Sequence, residues 1–398
     1  MDTTFDSKPA TQFPDAKARA LTVAGLLRAS TKRIEADREL PSHVLAALHE
    51  ARLFRMLLPR SLGGDELDPP TLAEVTAIIS AADASTAWCI GQGSGCSMSA
   101  AFMDAPAARQ VFGPADAVLA WGAGAAGRAI ATKTGYRVSG QWGFASGSRH
   151  ATWLGAHCKV FEADGKPRLR PDGRHAERTA LFPRTTATIH DVWQVMGLKG
   201  TGSDSYEVTD IDVPTELTLD RDNQAECREA GPLFRIPTTM AYSAAFSGVM
   251  LGIARGALDD MAALAMAKTP RGATSSMRES AVLQSDLARL EARWRALRAL
   301  QQMTLRQVWD GVSRGGELTL QNRIDWRLAT THAINDGVQI VMEVYRAAGQ
   351  TAIFEENPFE QRLRDALSAS QQVQGRTTHY MTVGRHLLGL APDTMMFI

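Results

Sequence analysis

The 398-residue chain carries 43 Lys plus Arg against 43 Asp plus Glu and is 44% hydrophobic, enough for a sizeable core and with no net field towards nucleic acid or an anionic membrane. Its four cysteines, Cys89, Cys96, Cys158 and Cys227, are scattered and form no C-x-x-C pair, which argues against a disulfide framework and fits a reducing cytoplasm. No stretch is long and apolar enough to span a membrane, and the polar, acidic start from Met1 to Asp15 reads as neither signal nor transit peptide.

In chain order, residues 1–18 read as a loose arm. Apolar positions at threes and fours predict helices over Ala20 to Ile34 and Ser42 to Leu58, the second ended by Pro59 and Gly63-Gly64. Asp68 before Pro69 is an N-cap followed by proline at the first helical position, opening a helix through Leu72 to Ala82. Further helices fill Ser85 to Phe112, so residues 19–114 form an N-terminal helical domain. From residue 115 to 232 the texture turns to Val, Thr, Ile and Gly, which predicts a middle β domain. Within it, Glu162 to Pro167 and Arg170 to Gly173 carry Pro and Asp-Gly turn signals and read as a solvated hairpin loop without a catalytic role. Residues 233–398 return to helical periodicity. Leu283, Leu287, Leu290, Trp294 and Leu297 form one stripe, Ile334, Val338, Val341 and Tyr345 another, with Gly349 placed to end that helix. The fold class is therefore α+β, with a central β-barrel or sandwich between a helical domain and a helical bundle.

Two stretches in the β region carry chemistry. In Gly140-Gln-Trp-Gly-Phe-Ala-Ser-Gly-Ser, strand alternation would put Trp142 and Phe144 on one face, beside the hydroxyls of Ser146 and Ser148. An aromatic wall beside hydroxyl donors suits a flavin. In Trp193-Gln-Val-Met-Gly-Leu-Lys-Gly-Thr-Gly-Ser, the turn Gly200, Thr201, Gly202 and Ser203 can present amides to an anion or a carbonyl oxygen. Each stretch alone also fits a β-turn with a core tryptophan. Trp121 to Gly127 matches G-x-G-x-x-G, but the following residues are β-formers and do not open a helix, which argues against a dinucleotide fold. Gly311 to Gly315 matches G-x-S-x-G away from any strand-to-helix turn and reads as a loop. His150 and His157 lack partners at ligand spacing, so no metal site is expected.

Together the two stretches, with Leu58-Pro-Arg-Ser-Leu-Gly-Gly64, Ser85-Thr-Ala-Trp88, Arg364-Asp-Ala366 and the closing Gly384 to Thr394, resemble the acyl-CoA dehydrogenase superfamily over nearly the whole chain. More narrowly they resemble its two-component flavin-dependent monooxygenases. The resemblance implies a homotetramer with flavin between the β domain and the bundle. It also implies reduced FMN or FAD delivered by a separate NAD(P)H:flavin reductase, and O2 captured as a C4a-hydroperoxide that oxygenates a small aromatic or heteroaromatic metabolite. By the same resemblance Ser146 contacts the flavin and Trp88 lines the substrate pocket, core packing being the alternative for Trp88. The residues themselves offer Trp142, Phe144, Ser148, Trp193 and Gly200 to Ser203 to the cofactor, and Arg278 and Arg271 either meet its phosphate or stand as exposed helix-end cations. The superfamily's dehydrogenase base is a Glu, and its two positions fall on Val373 and Tyr242, which disfavours acyl-CoA dehydrogenation. The oxygenase branch usually carries two pocket histidines, and here those positions are Cys96 and Gln372. A buried thiol is a poor base for a phenol, so an indole, amine or thioether that needs no deprotonation becomes the expected nucleophile. Two alternatives stay open: a flavin-bound oxidase or dehydrogenase of a non-acyl-CoA substrate, and a catalytically silent binding protein of this fold.

Overall fold

The computed structural model describes residues 15–395. Most of the expected N-terminal arm lies outside that range, but its last residues are helical: Asp15 caps α1 (Ala16–Asp37) by accepting from the amides of Lys17 and Ala18 at 2.9 and 3.0 Å. α2 (Ser42–Glu50) stops earlier than its apolar pattern suggests. Arg52 turns left-handed at φ 57°, and the chain continues as a short 3-10 turn at Leu53–Arg55. The buried Arg55 guanidinium then donates to the carbonyls of Leu62, Phe112 and Pro114, tying this turn to the loop beyond the helical region. α3 (Pro69–Ala82) opens as its sequence predicts, with Asp68 accepting from the Thr71 amide at 2.9 Å. α4 (Ala84–Ser97) and α5 (Ala105–Phe112) complete this part.

Eight strands follow: β1 (Leu119–Trp121), β2 (Gly127–Ala131), β3 (Gly135–Ala145), β4 (Trp153–Phe161), β5 (Glu177–Pro183), β6 (Thr188–His190), β7 (Asp204–Pro214) and β8 (Thr218–Leu219). They form one sheet in the order β6-β7-β3-β2-β4-β5-β8, with β1 parallel to the start of β4. The G-x-G-x-x-G look-alike is the loop from β1 to β2 and opens no helix. Between β4 and β5 the predicted turns are present, closed by Gly165 and Gly173 at φ 85° and 80°. β3 and β7 pair antiparallel with two register shifts, the second between Trp142 and Ala145.

Five helices close the chain: α6 (Thr238–Ala267), α7 (Ala281–Ser313), α8 (Leu320–Ala348), α9 (Phe359–Ser370) and α10 (Thr378–Leu387). Gly349 ends α8 at φ 61°, and Gly311 to Ser313, read from sequence as a loop, is the last turn of α7. The N-terminal and C-terminal helices share one core, because α3 lies along α6 with its hydroxyls satisfied across the contact. Thr76 donates to the Ala245 carbonyl at 3.0 Å and Ser80 to that of Val249 at 2.7 Å.

One buried carboxylate ties α9 to the β region. Asp365 accepts from the Leu198 amide at 2.6 Å, and Gly197 lies so close that a Cβ there would sit 2.2 Å from the Arg364 carbonyl. Burial pushes the Asp365 carboxyl up to about 7, with the Leu198 N–H opposing the shift. The folded protein therefore holds this proton more tightly than the unfolded chain, and the stability it confers at acidic pH is lost as pH rises through that value. Melting temperature should thus fall between about pH 4 and about pH 7, the interval between the unfolded and folded values, and Asp365→Asn, which keeps an oxygen acceptor, should flatten the fall. Parallel melting series on the two proteins check this, and an identical slope in the variant would remove Asp365 as the titrating group.

Candidate active site

Where the sheet meets the helices lies a cleft of about 1170 Å³, somewhat larger than most small-molecule sites. Its inner wall is aromatic. Residues four apart on a helix share a face, so α4 presents Trp88 and Gln92, and α6 presents Tyr242 and Phe246. Trp88 stacks on Phe246 with centroids 4.1 Å apart at 18°, and Phe246 lies nearly parallel to Tyr242 at 5.7 Å.

The second wall comes from the end of β3, where the expected alternation fails. The register shift between Trp142 and Ala145 and a left-handed Phe144 at φ 60° send these two aromatics to different places. Trp142 is 1% exposed, donates from Nε1 to the His157 carbonyl and stacks on Tyr206. Its ring occupies the space left by two glycines: a Cβ at Gly127 or Gly140 would sit 2.2 or 2.8 Å from indole carbons. It is a core residue, not a cofactor wall. Phe144, by contrast, is 71% exposed over the cleft, edge-on to Trp193 at 6.0 Å.

The third wall is the turn before β7 together with the end of α9. Here the structure assembles a chain of hydroxyls whose direction can be deduced. Indole N–H only donates and a carbonyl only accepts. Trp88 Nε1 donates to Ser146 Oγ at 3.1 Å, and Thr201 Oγ1 donates to the Leu198 carbonyl at 2.8 Å. Between them, Ser146 Oγ and Ser203 Oγ are 2.7 Å apart, as are Ser203 Oγ and Thr201 Oγ1. With the Thr201 proton committed to Leu198, Ser203 must donate to Thr201 and Ser146 to Ser203. Ser146 is left with one lone pair, and it lines the cleft as an acceptor.

The remaining predicted residues divide. Trp193, Thr201, Ser203 and Gln372 line the cleft, and Gln372 Oε1 accepts from the Gln374 amide at 2.7 Å. Ser148 is fully buried and donates to the Gly202 carbonyl, so it stiffens the turn from behind. Gly200 packs on Ile34 and Gly202 on Arg149, so neither glycine forms the cleft surface. Arg278 sits in the Met277–Glu279 turn beyond α6, where its carbonyl accepts from Gln284, and it does not reach this chain's cleft. Cys96 lies behind the wall, its Sγ 3.4 Å from Tyr242 Oη and 3.6 Å from Gln92 Nε2. Burial pushes its thiol up to about 12 and the Tyr242 hydroxyl well above its ordinary value, while burial holds the His157 imidazole well below its own. None of these three offers a base near neutrality.

Sequence reasoning missed several cleft residues. Gly122 to Ala125 belong to the dismissed glycine motif, and Arg170 to the loop given no role. Trp121 opens that same glycine motif, His157 offers only an isolated imidazole and Arg221 carries no motif; the three meet only through the sheet's pairing and the turn after β8. Among the described residues no group of three His, Cys, Asp or Glu could hold a metal, and no helix is long and apolar enough to cross a membrane.

A helical part, a sheet and a helical bundle enclosing a cleft between sheet and bundle define an acyl-CoA dehydrogenase-type fold. Residues 244–374 match the family model described as acyl-CoA dehydrogenase, C-terminal domain. The relatives include indole-3-acetate monooxygenase of Pseudomonas putida, 27% identical over 369 residues covering 92% of this chain and 91% of that protein. Another is the FADH2-dependent resorcinol hydroxylase oxygenase component of a Rhizobium species, 27% identical and covering 98% of each chain. Among solved structures, the Streptomyces protein XiaF in complex with FADH2 and glycerol superposes with a TM-score of 0.87 at 23% identity, over 95% of this chain and 96% of that one. Residues 244–374 are thus similar to an acyl-CoA dehydrogenase C-terminal domain, and the relatives are named as monooxygenases or hydroxylases, among them the oxygenase component of an FADH2-dependent system, as the motifs implied.

Two outcomes follow from the geometry. Cys96 should resist alkylation by iodoacetamide at about pH 8, because a thiol titrating that high supplies almost no thiolate; mass spectrometry of the native and unfolded protein distinguishes this from simple unreactivity. Phe144→Gly should leave the melting temperature unchanged or slightly raised, since a non-glycine left-handed residue costs about 1–2 kcal/mol, yet weaken flavin binding severalfold by titration.

Proposed function

We propose that this chain is the oxygenase component of a two-component monooxygenase, taking reduced FMN or FAD from a separate NAD(P)H:flavin reductase and using O2 to oxygenate a small aromatic or heteroaromatic metabolite. The observation that carries this reading is the directed hydroxyl chain ending beside a stacked aromatic wall in one cleft. The residues fit a flavin: Phe144 and Trp193 stand free as aromatic surfaces, and Ser146 offers an oriented acceptor for a ring N–H. Reduced flavin, when bound, supplies the electrons that activate O2. Ser146, Ser203 and Thr201 hold and orient it, and Trp88 locks the Ser146 hydroxyl. Gln372 adds an amide on the helical side. Trp88, Phe246 and Tyr242 bind a planar substrate and exclude water, which protects reactive oxygen species from unproductive decay.

Substrate deprotonation has no support from Cys96, Tyr242 or His157, which favours an electron-rich ring or heteroatom that reacts as it stands, such as an indole. A dehydrogenase needs a carboxylate where Val373 and Tyr242 stand, and the binding-protein alternative gives no reason for an oriented hydroxyl chain. We take residues 19–114, 115–232 and 233–398 as the three domains, and the assembly as a cytoplasmic homotetramer. Exposed apolar side chains on the bundle, among them Met381, Leu387 and Leu388, support subunit packing, and the four free cysteines fit a reducing compartment.

The test mixes protein and anaerobically reduced FMN or FAD with oxygenated buffer and follows flavin absorbance. Reoxidation should be slower than that of free flavin, and both Ser146→Ala and Trp88→Phe should accelerate it about 2- to 10-fold, the worth of one hydrogen bond. Reoxidation as fast as without protein would overturn the reading.

A further inference from the structure

The charged groups around the cleft are not evenly paired. β8 runs into a tight turn in which the Asn223 amide donates to the Asp220 carbonyl and the Asp222 amide to Asp220 Oδ1. That turn is clamped from the neighbouring strand region: Arg170 pairs with Asp220 at 2.9 Å, and Arg178 holds Glu226 through both carboxylate oxygens at 2.9 and 3.2 Å. Two cations of the cleft rim are thus neutralised by two acids of the turn. Of the other two arginines that line the cleft, Arg376 is exposed on the helical side, beyond α9, and Arg221 is displayed at the tip of the same turn. No carboxylate among the described residues lies within 4 Å of it, and its guanidinium sits over the Trp121 ring at 4.4 Å.

Trp121 and Arg221 both line the cleft, with His157 edge-on to Trp121 at 4.9 Å. The positive charge of Arg221 reaches His157, Cys96 and Tyr242, on three different elements, which sets it towards the aromatic wall. All three of those groups are neutral near pH 7, so none balances it. A half-buried guanidinium stacked on an indole, fixed by a clamped turn and facing an apolar space, is a preorganised site for an anion.

We propose that Arg221 is the anion anchor of the substrate cavity, and that the substrate is a planar aromatic bearing a carboxylate, its ring against Trp88 and Phe246 and its carboxylate on Arg221. This rests on the functional reading above only for the identity of the cavity as a substrate site. The shared chemistry, an anion on a guanidinium, has a second source in the flavin phosphate, and the experiment separates the two.

Calorimetric titration of the full chain with indole-3-acetate and with its neutral amide, indole-3-acetamide, is the direct measurement, with reduced-flavin affinity measured alongside. The acid should bind about 10- to 100-fold more tightly than the amide, as expected for one charge-assisted pair. Arg221→Gln should abolish that preference by weakening the acid alone, Arg221→Lys should restore part of it, and reduced-flavin affinity should stay within about threefold. Equal binding of acid and amide to the unaltered protein, or no binding of either, would overturn the proposal without any variant. Arg221→Gln weakening both ligands equally, or weakening flavin in place of the acid, would also overturn it. The flavin-reoxidation result is independent: slow reoxidation without acid preference sinks the anchor and spares the oxygenase, whereas acid preference with unprotected flavin does the reverse.

Discussion

The site depends on a break in strand alternation at the end of β3. Up to Trp142 the strand obeys its period of two and delivers a tryptophan into the sheet's core, where two glycines make room for the ring. Beyond it the register shifts against β7, Phe144 adopts a left-handed backbone, and the chain turns so that Ser146 faces α4. Had the strand continued regularly, Phe144 would join Trp142 in the core and Ser146 would not meet Trp88. The strained backbone at an exposed aromatic is the kind of local cost that persists where surrounding structure over-determines it.

What over-determines it is the turn before β7. That turn is fixed on one side by the hydroxyls of Ser146, Ser148, Thr201 and Ser203 and on the other by the Asp365 carboxylate, which reaches from α9 to the Leu198 amide. Sheet and bundle therefore meet through hydrogen bonds made by a few buried polar groups, each satisfied, set within an otherwise apolar contact. Such a network specifies a geometry more sharply than apolar packing does, because a misplaced partner leaves a buried group unpaired. The cleft inherits its shape from that specification.

Electrostatics then divides the cleft. Its aromatic depth holds a thiol, a phenol and an imidazole that burial keeps neutral, so acid-base chemistry on the substrate is weakly supported there. Four arginines line the cleft: Arg170 and Arg178 are committed to structural carboxylates, Arg221 lies over an indole ring, and Arg376 stands exposed on the helical side. Neutral depth and a cation held on an indole at the rim favour a substrate whose ring is electron-rich as it stands and whose charge sits away from the reacting atoms.

The helices were legible from local pattern: the Asp68 cap, the Leu283 to Leu297 stripe and the Gly349 stop all stand where the sequence places them, because capping and amphipathic burial depend on neighbours within one or two turns. Ser146, Thr201, Ser203, Trp88 and Gln372 were legible as cleft residues through the motifs that carry them. Trp142 was misread because a bulge leaves no local signature, and α2 was drawn too long because an apolar run does not reveal a left-handed Arg52. Arg221, Trp121 and His157 could not be joined at all, since they lie far apart in sequence and meet only through the pairing of β1 with β4 and the clamped turn after β8. The sequence by itself determined the element types, their order and the residues of the hydroxyl chain, because propensity, periodicity and motif spacing are local. Tertiary structure alone decided which aromatics face the cleft and which cation comes to lie over Trp121, because register and charge pairing are settled only when distant strands and turns come together.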